Sequence, residues 1–151
     1  MNGVTTSKTP SATPASTYRL QFNKNFTFAD AIAQLDHLAA LGVSRVFCSP
    51  ILQAAPGSTH GYDVVDHTQI SQECGGEQDF RRLCTKAHDA GLGIVVDVVP
   101  NHMAVPTPLW HNSALWSVLR DGPSSPYATW FDVDISTSLS ILICLLYTSP
   151  S

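Results

Sequence analysis

The segment Ile94–His102, IVVDVVPNH, places one carboxylate inside an apolar run and ends on an asparagine and a histidine. An isolated charge is costly to bury, so Asp97, set among Ile94, Val95, Val96, Val98 and Val99, must be paired or well hydrogen-bonded. It can brace a loop or pair with an arginine of a neighbouring strand; beside a cleft, such a pair also organises a site. His102 can donate to a hydroxyl or ligate a metal, and Asn101 can donate, accept or offer an oxygen to calcium. Both residues equally suit loop capping. A second cluster lies upstream in the glycine-bearing stretch Gly57–His67, GSTHGYDVVDH. A tyrosine there can stack its ring on the apolar face of a sugar while histidine and aspartate bond its hydroxyls, which makes His60, Tyr62 and Asp63 candidates. Taken alone, the same residues also suit an ordinary exposed turn.

These groups need a scaffold that brings them together. Thr17–Phe22 alternates apolar and polar residues and suits a short strand. Thr27 and Asp30 have the spacing of a capping box, and Phe28, Ile32, Leu35, Leu38 and Leu41 follow at helical intervals up to Gly42. Ser44–Leu52 reads as the second strand, stopped by Pro50. A polar connection from Gln53 to Gly76 is too long for a plain connector, and loops of that length are usually functional. A second helix is expected over Glu77–Ala90, burying Phe80, Leu83, Cys84 and Ala87, and Ile94 then opens the third strand.

This β-α-β-α-β order, with a third strand apolar on both faces apart from Asp97, predicts an α/β fold with a parallel sheet covered by helices. Right-handed crossovers put all three strand C-termini at one edge, where function collects in such folds. Met103–Asp134 is rich in Pro and Trp, contains an amphipathic stretch near Leu109–Leu119, and reads as the start of an inserted subdomain. Trp110, Trp116 and Trp130 can serve as sugar platforms, although packing in a core is the commoner fate of tryptophan.

Composition narrows the alternatives. The chain of 151 residues carries a net charge of −4, and its eight Lys and Arg residues do not cluster, so neither nucleic acid nor an anionic membrane is an expected partner. Only 13% of residues are charged, against about 25% in a typical domain, which suggests part of something larger. Cys48, Cys74, Cys84 and Cys144 lack metal-type spacing and read as reduced thiols of a cytoplasmic protein. A zinc site from His60, His67, His102 or His111 is not expected, since no pair has helical ligand spacing. No cofactor or metal is implied.

HGYD, followed downstream by GIVVDVVPNH, resembles the α-amylase superfamily of glycoside hydrolases, family thirteen. The longer runs TYRLQF, LGVSRVFCSPILQAAPGSTHGYDVVDH, VVDVVPNHMAV and SPYATWFDVD resemble its trehalose-forming branch, and the likeness covers Thr17 to Asp134. It implies a (β/α)₈ barrel of which residues 17–102 supply the first three βα units. It also implies a transglycosidase that converts the reducing-end α-1,4 bond of maltodextrins to α,α-1,1. By the same resemblance Tyr62 stacks under the bound glucose, His60 and His102 bond its hydroxyls, and Asp97 holds an arginine that positions the nucleophile. Asp63 lines the pocket, and Asn101 takes a structural role. The nucleophile and acid carboxylates belong to later strands, so no catalytic residue and no turnover is expected of this chain alone. His67, where proline is common, and Cys74, where leucine is usual, are expected to alter packing only. Residues 1–16 read as a disordered lead-in, and residues 135–151, which lack charge and caps, as foreign sequence.

Overall fold

The computed structural model describes residues 15–132. Strand β1 (Thr17–Leu20) leads into two short helices, α1 (Phe28–Ile32) and α2 (Leu35–Ala40), followed by β2 (Arg45–Cys48). Strands β3 (Leu52–Ala54) and β4 (Val64–Ile70) precede the longer helix α3 (Gly76–Asp89), then β5 (Gly93–Val96) and α4 (Ser113–Asp121). The first, second and fifth strands form a parallel sheet in the order β1-β2-β5. Its register is even, from Thr17–Arg45–Gly93 to Leu20–Cys48–Val96, so all three C-termini meet at one edge. This is the α/β arrangement expected from the alternating pattern.

Helices pack on one face of that sheet. Phe28, Leu35, Leu38, Leu83 and Ala87 bury against Leu20, Val46 and Cys48, and each fully buried large apolar side chain stabilises the fold by about 1.5–3 kcal/mol. Phe28 is the hub: its ring lies 4.9 Å from that of Phe22 and 5.3 Å from that of Phe80. The expected capping box is present: Oγ1 of Thr27 accepts from the Asp30 amide, and the Asp30 carboxylate accepts from the Thr27 amide at 2.8 Å. That bond holds the Asp30 carboxyl below its ordinary pKa, with the Thr27 hydroxyl adding to the effect.

Several expectations are corrected. The single helix from Thr27 is two, because a turn at Ala33–Gln34, closed by a 3.0 Å bond from the Gln34 amide to the Ala31 carbonyl, divides them. It still ends at Gly42, whose φ of 78° lets the Val43 amide reach back to the Leu38 carbonyl. The polar connection Gln53–Gly76 is not structureless: its flanks pair as the antiparallel hairpin β3-β4. The third parallel strand stops at Val96, and it is not buried on both sides. Ile94, Val95 and Val96 are all half-buried, because among the described residues β5 is an edge strand and helices cover one face only. In α3, Leu83 and Ala87 are buried, whereas Phe80 and Cys84 are half-buried.

Residues beyond the third strand dock on the hairpin. The Ala104 amide donates to the Val64 carbonyl at 2.7 Å, and buried Asn112 bonds the Ala104 carbonyl through its side-chain nitrogen. The side-chain oxygen of Asn112 caps α4 by accepting from the Leu115 amide, so one residue ties the helix start to the segment that docks on the hairpin. Trp110, Trp116 and Trp130 are exposed and take no part in the core; Ala114 and Val118 supply the buried face of α4. Cys48, Cys74 and Cys84 are free thiols, and burial pushes the Cys48 thiol up to about 12. Cys144 and the lead-in and tail readings lie outside the described residues, apart from Ala15 and Ser16. No described helix is long and apolar enough to cross a membrane.

Candidate functional site

Alternation along the strands selects which residues reach the uncovered face. Arg19, Phe47 and Val95 lie in one register row on it, and the Asp97 amide extends the ladder by donating to the Cys48 carbonyl at 3.0 Å. Two residues beyond Val95, the Asp97 side chain therefore emerges on the same face, at the C-terminal edge. The loop after β3 crosses this edge and brings Tyr62 to it. The Tyr62 hydroxyl donates to the Asp97 carboxylate at 2.5 Å and accepts from the Arg19 guanidinium at 3.1 Å. This satisfies the requirement that Asp97 be hydrogen-bonded. Tyr62 as a residue is 39% exposed, which leaves it accessible to a ligand.

Loop geometry depends on Gly61. Its φ is 80°, and an added Cβ would lie 2.9 Å from the Pro50 carbonyl oxygen, so the chain passes too close to Pro50 for any side chain. Ser58 braces the same turn by accepting from the Gly61 amide at 3.0 Å and donating to the Asp63 carboxylate. Asp63 is thus engaged inside the loop. The His60 ring accepts the Tyr62 amide at Nδ1, 3.1 Å away, which leaves the proton on Nε2. With Nδ1 unprotonated, its 3.7 Å separation from Asp63 is a polar contact and not an ion pair. With the side chain itself exposed, the Nε2–H of His60 is then available as a donor.

His102 is placed beside this loop from the other side. Its Nε2 stands 3.2 Å from the Tyr62 carbonyl oxygen and its Nδ1 3.1 Å from the Asn101 side-chain oxygen, two acceptors of which a neutral imidazole donates to one. The histidine thus sits between the third-strand segment and the tyrosine loop. Asp97, His102, Tyr62 and His60 meet at one edge, with Asp63 and Asn101 just behind them. A neighbouring cleft of about 460 Å³ is lined by His67, Asn101, His102, Leu115, Trp130 and Phe131. Among the described residues, no group of three His, Cys, Asp or Glu side chains gathers to hold a metal ion.

Four participants were not singled out from sequence as part of this network. Arg19 and Gln21 sit on β1 and its extension, and Gln21 donates to the His60 carbonyl at 3.0 Å. Their alternation with Leu20 and Phe22 was the available signal. Ser58 and His67 are the others. His67 does more than fill space, since its Nε2 donates to the Val99 carbonyl at 2.8 Å and pins the segment that carries Asp97 and His102.

Residues 27–140 match the family model for the α-amylase catalytic domain. Over 124 residues the chain is 49% identical to the putative maltooligosyl trehalose synthase of Mycobacterium tuberculosis, covering 79% of this chain and 16% of that protein. The solved maltooligosyltrehalose synthase from Arthrobacter ramosus superposes with a TM-score of 0.76 at 46% identity, over 80% of this chain and 16% of that one. A further solved maltooligosyl trehalose synthase gives 0.75 at 52% identity, over the same shares. The chain thus spans 16% of the length of these relatives.

Proposed function

The chain belongs to the α-amylase catalytic-domain family, and from that footing we propose that it is the sugar-positioning part of a trehalose-forming transglycosidase. The whole enzyme is a cytoplasmic (β/α)₈ barrel acting on maltodextrins, and the β1-β2-β5 sheet contributes its first three parallel strands. The observation that carries the reading is the polar edge itself. An exposed tyrosine face is fixed by Arg19 and Asp97, with the His60 Nε2–H beside it. Identity of 46–52% to the solved synthases quoted above supports this branch of the family.

In this reading the Tyr62 ring stacks under the glucose at the cleavage point and His60 donates to a hydroxyl. His102 reaches a hydroxyl by exchanging its Tyr62 carbonyl partner. Asp97 orients the group that positions the nucleophile, and Asp63 and Asn101 hold the pocket's shape. Bond cleavage belongs to a carboxylate nucleophile and a carboxylic acid supplied by other family motifs. The acid protonates the leaving oxygen, and the nucleophile forms a glycosyl ester. The anomeric hydroxyl of the freed glucose then attacks that ester and returns its proton to the acid residue's carboxylate. No water is consumed, and one reducing end disappears.

Incubating maltopentaose with the full-length polypeptide that carries these residues tests the reading. Loss of reducing ends at constant total sugar is expected; a rise in reducing ends identifies a hydrolase instead. The 151-residue chain alone is expected to show no turnover, and conversion by it would overturn the division of labour proposed here.

A further inference from the structure

We propose that Arg19 is a positioning residue, which fixes both the location of the Tyr62 ring and the direction of its hydroxyl proton. The inference rests on the reading of Tyr62 as a sugar-stacking residue, and it adds a determinant from a different strand. A phenol can donate one proton and accept into its lone pairs. An arginine cannot accept, and an ionised carboxylate cannot donate. With the Arg19 guanidinium 3.1 Å away on one side and Asp97 2.5 Å away on the other, only one orientation of the Tyr62 O–H satisfies both neighbours. The hydroxyl is thereby held as a donor to Asp97, and the ring cannot rotate out without losing two charge-assisted bonds.

Arg19 is itself held from three sides. Its second nitrogen donates to Oε1 of Gln21 at 2.8 Å, and its guanidinium lies 5.9 Å from the centre of the Phe47 ring, within cation–π range. Gln21 in turn donates through Nε2 to the His60 carbonyl at 3.0 Å. Two side chains at alternate positions from β1 onward therefore grip one loop at two points, His60 by its backbone and Tyr62 by its hydroxyl. A side chain kept only for packing over Phe47 would not require the bond to Tyr62.

A double-mutant cycle separates those roles. Arg19→Met keeps the apolar stem over Phe47 and removes the donors, Tyr62→Phe removes the hydroxyl, and the double variant combines them. The readouts are maltopentaose affinity and the NMR ring-proton shifts of residue 62. Arg19→Met is expected to weaken binding by about tenfold in the parent protein and by less than about twofold in the Tyr62→Phe background, the scale of one charge-assisted hydrogen bond. The Tyr62 ring signals should move in Arg19→Met, while the phenyl signals at position 62 in the double variant should match those of the single Tyr62→Phe protein. Equal effects of Arg19→Met in both backgrounds, or unmoved ring signals, would overturn the proposal. If the parent protein does not bind maltopentaose, the sugar-stacking reading fails, while the ring signals still decide whether Arg19 positions Tyr62.

Discussion

Val46 and Phe47 are adjacent in β2 yet belong to two differently built regions. Val46 is fully buried beneath the helices, among Leu20, Phe28, Leu83 and Cys48. Phe47 points to the other face, is half-buried, and carries the Arg19 guanidinium over its ring. The covered face is held by apolar area and close packing, which are non-directional and tolerate small shifts. The open edge is held by hydrogen bonds between Arg19, Tyr62, Asp97 and His102, which work only at defined distances and angles. The first region provides stability, and the second uses it to hold an exposed aromatic ring in place.

Breaking the covered face should have the largest thermodynamic effect. Phe28→Ala removes the hub of the aromatic cluster and is expected to lower stability by about 3–5 kcal/mol, read as a shift of the urea midpoint. Gly61→Ala attacks the open edge through its backbone. Strain at φ 80° and the clash with the Pro50 carbonyl should cost about 1–3 kcal/mol and displace Tyr62, so maltopentaose affinity should fall with stability. Tyr62→Phe sharpens the contrast, since it should weaken sugar binding while lowering stability by only about 1–2 kcal/mol.

Thr27→Ala should cost about 1 kcal/mol by removing the cap of α1, with no effect on sugar binding. The same box has a pH signature. Asp30 has a lowered pKa in the folded chain, so its contribution is present above its unfolded value and lost as pH falls through the folded one. Asp30→Asn should therefore abolish the pH dependence in that window, whereas Thr27→Ala keeps the backbone donor and should only weaken it. At the opposite end of the scale, the raised pKa of Cys48 stabilises the fold below about 9. That contribution should fade as pH rises from there towards 12, where the folded thiol also ionises.

The covered face was largely legible in the sequence. Helical spacing of Phe28, Ile32, Leu35 and Leu38, the Thr27–Asp30 box and the glycine at 42 locate the elements, because these signals act within a few residues. The gathering of His60, Tyr62, Asp97 and His102 at one edge was legible too. Their connections were not. The bond between Arg19 and Tyr62 joins residues 43 positions apart, and that between Tyr62 and Asp97 spans 35, separations at which periodicity carries no information. The hairpin β3-β4 was hidden for a related reason. Its pairing shifts register twice, between Leu52 and Gln53 and between Gln53 and Ala54, which blurs the alternation that marks a strand. Burial of the third strand was over-read, since an apolar run does not reveal whether both faces are covered.

The most direct test is an amide NMR titration of the chain with maltopentaose. Saturable shifts are expected at His60–Asp63 and Asp97–His102, with the amides of α3 unmoved. An absence of saturable shifts at the tyrosine edge, or shifts confined to the helical face, would contradict the assignment of sugar positioning to this edge.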